Sequence, residues 1–147
     1  MSADRACLTI VTLGVDDLAR GIRFYETLGF VRRARGSGNG IAFFAAGGTA
    51  LALYPWDLLA EDASVPAGPR PSAFRGTALA WNCPSPAVVD EMLAKALSAG
   101  GHLLKPAQQV FWGGYSGYFA DPDGDVWEVA HNPFFPQLDD GRLALPD

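Results

Sequence analysis

The sequence has few cysteines and no long apolar run. The two cysteines among 147 residues, Cys7 and Cys83, exclude a disulfide framework and are typical of a reduced, cytoplasmic protein. We interpret both as small buried hydrophobic side chains. No apolar run is long enough to span a bilayer, and residues 1–10 lack the basic region and apolar stretch of a signal peptide. We therefore expect no membrane partner.

Positive charge is also scarce. The chain has 11 basic and 16 acidic side chains, a net charge of −5, and no basic cluster, which argues against nucleic acid as a partner. Arg32, Arg33 and Arg35 form the densest positive run, and we interpret it as a solvated strand face. What the chain does have is a composition of 49% hydrophobic and 18% charged residues. This composition and this length predict one globular domain over residues 1–147.

One order of elements occurs twice along the chain. Residues 7–15 alternate as a strand, Asp16 or Asp17 can cap the following helix, and Gly29 ends it. Strands follow near residues 31–35, 41–46 and 49–54. In the second half, a strand over residues 76–83 precedes a helix that starts at Ser85-Pro86, with strands near residues 103–108, 115–121 and 125–131. The pattern predicts two βαβββ units, residues 7–54 and 76–131, in an α+β fold with a curved mixed sheet around a central cup.

Two segments lie outside these units. Residues 55–75, rich in proline, connect the units, either as a passive linker or as a mobile flap over the cup. The tail, residues 132–147, is predicted to be extended along the surface, without a chemical role.

The segment around residues 114–134 is the most informative. Asp121-Pro122-Asp123-Gly124 predicts a tight hairpin turn in which Gly124 takes a positive φ. In the strand that follows, Glu128 shares one face with Val126 and Ala130. A lone carboxylate on an apolar face either binds something or is satisfied internally, here by Asn82, Thr12 or a tyrosine hydroxyl.

This segment and the opening segment, residues 11–30, resemble the vicinal-oxygen-chelate superfamily of glyoxalases, bleomycin-resistance proteins, extradiol dioxygenases and fosfomycin-modifying enzymes. The resemblance covers residues 7–134. It implies the same fold and a homodimer. Because this fold hosts many chemistries, it does not by itself imply an activity.

The resemblance also identifies the four positions at which metal-using members carry ligands. In this sequence they fall on Ile10, Ala52, Ala78 and Glu128. Catalytic metal sites need about three protein ligands, so we predict no catalytic metal and no cofactor, and we do not expect metal-dependent glyoxalase or dioxygenase activity. His131 lies three residues from Glu128 on a strand and therefore faces the other way, and His102 follows a helix end.

Small and aromatic residues remain to form the cup. The same alternation places alanines on its floor, and aromatic residues lie where its walls are expected. We assign Trp81 and Trp127 instead to helix–sheet packing. The candidate ligand-binding residues are Thr12, Ala52, Tyr54, Trp56, Ala78, Asn82, Trp112, Tyr115, Tyr118 and Glu128.

Three functions are compatible with this pattern. The favoured one is binding of a small aromatic or cationic organic ligand, with Glu128 as counter-charge or hydrogen-bond acceptor. The second is an enzyme, either a lyase or dioxygenase with rearranged metal ligands or a metal-free catalyst with Glu128 as general base. The third is a subunit with a vestigial pocket that only contacts other proteins.

Overall fold

The computed structural model describes residues 5–36, 38 and 40–147, which form eight strands and three helices. Residues 1–4, part of the segment without a signal-peptide pattern, lie outside the described residues. The first unit consists of β1 (Ile10–Val15), α1 (Leu18–Leu28), β2 (Val31–Arg33), β3 (Ala42–Ala46) and β4 (Thr49–Pro55). These strands form a mixed sheet in the order β1-β4-β3-β2, in which β1 and β4 are parallel.

The second unit repeats this arrangement. After α2 (Trp56–Asp62) it consists of β5 (Ala78–Asn82), α3 (Pro86–Ser98), β6 (His102–Gln109), β7 (Tyr115–Ala120) and β8 (Val126–His131). The sheet order is β5-β8-β7-β6, with β5 and β8 parallel. The predicted α+β fold of two βαβββ units is confirmed.

The helices begin and end where local chemistry predicts. The Asp17 carboxylate accepts a hydrogen bond from the backbone N–H of Arg20 at 3.0 Å, and Gly29 ends α1 at φ 104°. In the second unit the Ser85 hydroxyl accepts from Val88 N at 3.3 Å, and Pro86 is the first helical residue. Residues that satisfy the free N–H groups of a first turn define helix starts even in sequence alone.

Aromatic side chains of α1 join the two units. Phe24 and Tyr25 are each only 1% exposed. The Tyr25 ring contacts Phe44 of β3 and Trp127 of β8, with centroids 6.1 and 6.0 Å apart, and the Phe24 ring contacts Phe119 of β7. The helix of the first unit therefore packs into the core of the second, and one continuous core serves both.

The connection and the tail differ from expectation. Residues 55–75 contain α2, which neither the linker nor the flap interpretation predicted, because this short helix has no side-chain N-cap. The tail is not simply extended. It turns back on itself, with Gln137 bridged to Leu143 and Leu138 N donating to Arg142 O at 2.7 Å.

Within the described part of the chain, each helix is too short or too polar to cross a membrane.

Candidate functional site

Glu128 lies in the middle of the second sheet. On β8 it is paired with Ala80 of β5 on one side and Tyr118 of β7 on the other. The Tyr118 hydroxyl donates a hydrogen bond to Glu128 Oε2 at 2.8 Å. Desolvation, together with this hydrogen bond and the nearby negative charge, raises the pKa of the Tyr118 hydroxyl. A tyrosine, one of the three internal partners considered from sequence, therefore satisfies one carboxylate oxygen.

The equivalent position of the first sheet carries no polar group. Ala52 on β4 lies between Thr12 of β1 and Phe43 of β3, and it is fully buried. Ile10 is paired with Ala50 at the start of β1, where 47% of its surface is exposed. Ala78 opens β5 as an exposed residue beside Val126.

These residues do not fit a catalytic metal. Glu128 offers one carboxylate with a phenol at its side, whereas Ile10, Ala52 and Ala78 offer no ligand atom. Nor does any group of three or more His, Cys, Asp or Glu side chains with metal-binding geometry occur in residues 5–36, 38 and 40–147. About three protein ligands are needed to hold a catalytic metal.

A small cavity of about 270 Å³ lies where the end of β1 faces the start of β5. Two candidate residues, Thr12 and Trp56, line it together with Val126. The structure adds Arg75 and Asp125, which sequence reasoning missed.

Arg75 fixes the end of the connection at this small cavity. Its guanidinium donates to Asp125 Oδ1 at 2.9 Å and to the backbone oxygen of Asp123 at 2.6 Å, and it lies 4.9 Å from the Trp56 ring centroid. Arg70 stacks on the same ring at 4.6 Å and binds Asp16 at 2.6 Å. Cation–π contacts of this kind hold Trp56 in place. Arg70 and Arg75 are the only basic residues in 55–75, but their partners are too distant in sequence to be inferred.

Asp125 is an unusual carboxylate. Burial raises its pKa to about 7, and the charge of Asp121 adds to this effect against the opposing pull of Arg75. Its Oδ2 is buried and has no hydrogen-bond partner among the described residues. Asp121 itself is 1% exposed and accepts hydrogen bonds from the Tyr25 hydroxyl at 2.6 Å and from Asp125 N.

A larger cavity of about 550 Å³, here named the seam cavity, lies at the opposite end of β1 and β5. Asn82 is the one candidate ligand residue that lines it. Trp127 is buried in the core, as predicted, and Trp81 packs against that core, but both rings also line this cavity. Ala52, Ala78, Tyr118 and Glu128 line neither cavity.

Three other candidate residues lie elsewhere. Tyr115 is three residues from Tyr118 on β7 and so faces the helices, where its hydroxyl donates to Asp90 of α3 at 2.6 Å. The prediction that Tyr115 shares a wall with Glu128 is thus corrected. The Trp112 ring lies across Gly114 in the β6–β7 turn. Tyr54, paired with Gly14, shares the phase of Ala52 on β4.

The structure also places the two cysteines and His131, whose positions we predicted from the sequence. Cys83 is buried as predicted, but Cys7 is exposed, because it precedes β1 at the molecular surface. His131 Nδ1 lies 3.0 Å from the backbone oxygen of Cys83, on the opposite strand face from Glu128.

Comparison with known proteins agrees with this architecture. Residues 8–129 match the model of the Glyoxalase/Bleomycin resistance protein/Dioxygenase superfamily. A glyoxalase-related enzyme from Fulvimarina pelagi is 36% identical over 96% of this chain and 99% of its own, with a TM-score of 0.85. A glyoxalase/bleomycin resistance protein/dioxygenase from Nocardioides is 30% identical over 88% of this chain and 85% of its own, with a TM-score of 0.71.

A lactoylglutathione lyase from Agrobacterium tumefaciens is 23% identical over 88% of this chain and 96% of its own, with a TM-score of 0.64, and it shares the fold. None of the curated protein sequences matches this chain. The match over residues 8–129 and the two relatives at 30% identity or above establish the family. The chain belongs to the Glyoxalase/Bleomycin resistance protein/Dioxygenase superfamily.

Proposed function

We propose that this protein binds a small flat or cationic organic molecule on the sheet face that carries Glu128, without a catalytic metal. The observation that carries the proposal is the hydrogen-bonded pair of Glu128 and Tyr118 on a half-exposed strand face beside Ala80. A carboxylate oriented by a neighbouring hydroxyl is a polar anchor, and the short alanine side chain leaves room beside it. Three of the four positions at which, by the resemblance described above, metal-using members carry ligands are aliphatic here: Ile10, Ala52 and Ala78.

The hydrogen bond from Tyr118 orients the Glu128 carboxylate but occupies only one of its two oxygens. Tyr118 binds Oε2, and we assign Oε1 to the ligand. Ala78 and Ala80 are exposed on the same face of β5, and the ligand would lie across them. Thr12 and Trp56, in the small cavity, extend the proposed surface toward the first unit.

Ligand titrations with a matched pair of probes test the anchor. Glu128→Gln should weaken a cationic aromatic probe such as 1-naphthylmethylammonium by about 1.5–3 kcal/mol, because a charge-assisted contact is lost. A neutral analogue of the same shape should bind equally to both proteins. Glu91→Gln, which removes an exposed carboxylate of α3, is the control. Equal loss in both variants would assign the effect to net charge and refute the anchor.

A second variant tests whether the ligand occupies the space beside Glu128. Ala78→Phe should abolish binding of the cationic probe by filling the surface beside the anchor. Since Ala78 is exposed, its unfolding free energy should change little. Retained affinity in Ala78→Phe would place the ligand elsewhere.

Metal analysis tests the remaining part of the proposal. The purified protein should carry no stoichiometric transition metal, and a chelator should leave probe binding unchanged. One equivalent of Zn, Ni, Mn or Fe that is removed together with activity would overturn the proposal in favour of an enzyme with rearranged ligands.

The Glu128–Tyr118 pair also favours a second candidate, metal-free acid–base catalysis. The Tyr118 hydroxyl donates its one proton to Glu128 Oε2 at 2.8 Å and so holds the carboxylate in place, while Oε1 would take a proton from a bound carbon or oxygen acid. Under this candidate Glu128→Gln loses turnover while binding of a neutral substrate persists. Turnover that survives Glu128→Gln would exclude the role.

We further propose a cytoplasmic homodimer. Two exposed apolar side chains support self-association: Leu8, just before β1, at 68% and Ile10, its first residue, at 47%. Sedimentation should give twice the 15.6 kDa chain mass. A monomer with intact probe binding would refute the dimer alone, whereas binding of another protein without any probe binding would favour the vestigial-pocket alternative.

A further inference from the structure

We infer that the seam cavity is a second binding site, specific for an uncharged flat aromatic molecule. It does not depend on the proposed site at Glu128. The cavity lies where Leu8, just before β1, and Val11, near its start, face the end of β5 at Trp81 and Asn82. Its volume of about 550 Å³ falls within the range of small-molecule pockets.

Three aromatic rings form one wall. Phe30, which follows α1, lies 5.4 Å from the Trp81 ring and 5.8 Å from the Trp127 ring, centroid to centroid. The Trp127 indole N–H already donates to the Tyr25 hydroxyl at 3.0 Å inside the core. The Trp127 ring therefore meets the cavity with aromatic carbon, and rings of this kind favour a flat aromatic ligand by offset or edge-on stacking.

The charge of the lining is compensated within the protein. Asp140 contributes a carboxylate, but Arg142 binds it through Nε at 2.6 Å and through its backbone N at 3.0 Å. The other polar lining residues include the neutral side chains of Thr49, Asn82 and Gln137. A charged ligand would lose its hydration here without gaining a counter-ion, so the lining selects a neutral one.

The tail closes the cavity by attaching to both units. The Gln137 side-chain amide donates to the backbone oxygen of Asn82 in β5 at 2.8 Å. On the other side, the Arg142 side chain lies so close to Gly48, in the β3–β4 turn, that a Cβ there would overlap it. The turn between Gln137 and Leu143 is thus a wall held at both ends, and it sets the width of the cavity.

The site is distinct from the Glu128 surface. Leu51, Leu79, Trp81 and Trp127, which line the cavity, lie on the opposite strand phase from Ala52 and Glu128. Ala80 and Asn82, on the Glu128 phase of β5, line its edge, whereas Ala78, Tyr118 and Glu128 do not line it. Ala45 of the first sheet lines the cavity and Ala78 does not, so large substitutions at these two positions can separate the two sites.

A crossed experiment tests the inference. The neutral fluorescent probe N-phenyl-1-naphthylamine should bind the wild-type protein at one equivalent, with enhanced probe emission. Ala45→Phe places a large side chain in the cavity lining from an exposed position, so the fold should persist while affinity drops at least about tenfold. Ala78→Phe and Glu128→Gln should leave this affinity within about twofold, and the cationic naphthyl probe should show the reverse pattern.

A second variant tests whether the tail closes the seam cavity. Gln137→Ala removes the link to Asn82 and should speed release of the neutral probe, measured by stopped-flow, without unfolding the protein. Three outcomes would overturn the inference: no saturable binding of the neutral probe, full binding in Ala45→Phe, or loss of binding in Ala78→Phe. The last would move the neutral ligand to the Glu128 face and leave the proposed function standing. If the wild-type protein binds the neutral probe but not the cationic one, the proposed function is refuted and the inference about the seam cavity stands.

Discussion

Burial separates the two thiols of the chain. Burial raises the pKa of the Cys83 thiol to about 11, whereas Cys7 is exposed. Because the thiolate is the reactive form, Cys83 should stay unmodified by a thiol reagent at neutral pH while Cys7 reacts. Mass spectrometry of the wild-type protein should show one rapid adduct, and Cys7→Ser should show none until denaturant is added. Rapid labelling of Cys7→Ser would mean that Cys83 is accessible.

Asp125 should make stability depend on pH. Its folded-state pKa of about 7 exceeds the value of about 4 expected in the unfolded chain. Between these values the folded state binds more protons, so this contribution to stability is complete below about pH 4 and is lost as pH rises through 7. Between pH 4.5 and 7.5, urea unfolding should show the wild-type protein losing about 3 kcal/mol relative to Asp125→Asn, since each pH unit between the two pKa values is worth about 1.4 kcal/mol. A difference that does not vary with pH would contradict the raised pKa.

The conformation and orientation of a single residue could be predicted where its neighbours in sequence determine them. Gly124 has φ 90°, as the turn sequence requires, and Glu128 shares a strand face with Val126 because the alternation is local. Arg75 and Asp125 form a contact 50 residues apart, which no local pattern encodes. The sequence therefore predicts site residues that lie on the same strand, but not contacts between residues that are distant in sequence.

At the scale of elements, the β7–β8 hairpin offers a direct test. Gly124 N donates to Asp121 O at 3.0 Å, and an added Cβ would come within 3.4 Å of Arg75 Nη2. Gly124→Val should therefore cost about 1 kcal/mol or more, since a β-branched residue resists positive φ. Gly124→Asn, which tolerates that region better, should cost less in the same urea titration. Equal costs would show that crowding rather than backbone conformation matters.

Most elements could be predicted because periodicity and end signals agree. Both long helices carry a side-chain cap, and the strands alternate between punctuating turns. In contrast, α2 was missed, since Pro55 caps it without a side-chain hydrogen bond and its contacts come from β1 and β4. The turn in the tail depends on Asn82 and Gly48, which are remote in sequence.

For the whole molecule, the decisive contact is the buried network around Tyr25. Its hydroxyl donates to Asp121 at 2.6 Å and accepts from Trp127 at 3.0 Å, joining α1 to the second unit. Tyr25→Phe should lower the unfolding free energy by about 2–3 kcal/mol, because a buried carboxylate and an indole N–H lose their partner. Tyr54→Phe, the same change at a half-buried site, should cost less. If calorimetry shows the same loss of stability for Tyr25→Phe and Tyr54→Phe, the hydrogen-bond network around Tyr25 does not stabilise the fold.

The same network has a consequence for biosynthesis. Tyr25 and Asp121 are separated by 96 residues, and Tyr25 and Trp127 by 102. When α1 leaves the ribosome, the strands that cover its aromatic face have not yet been translated. The nascent first unit therefore carries uncovered rings until the last hairpin is made, a state in which hydrophobic surface invites aggregation or chaperone binding. Slow translation of residues 76–131 would lengthen that exposed period.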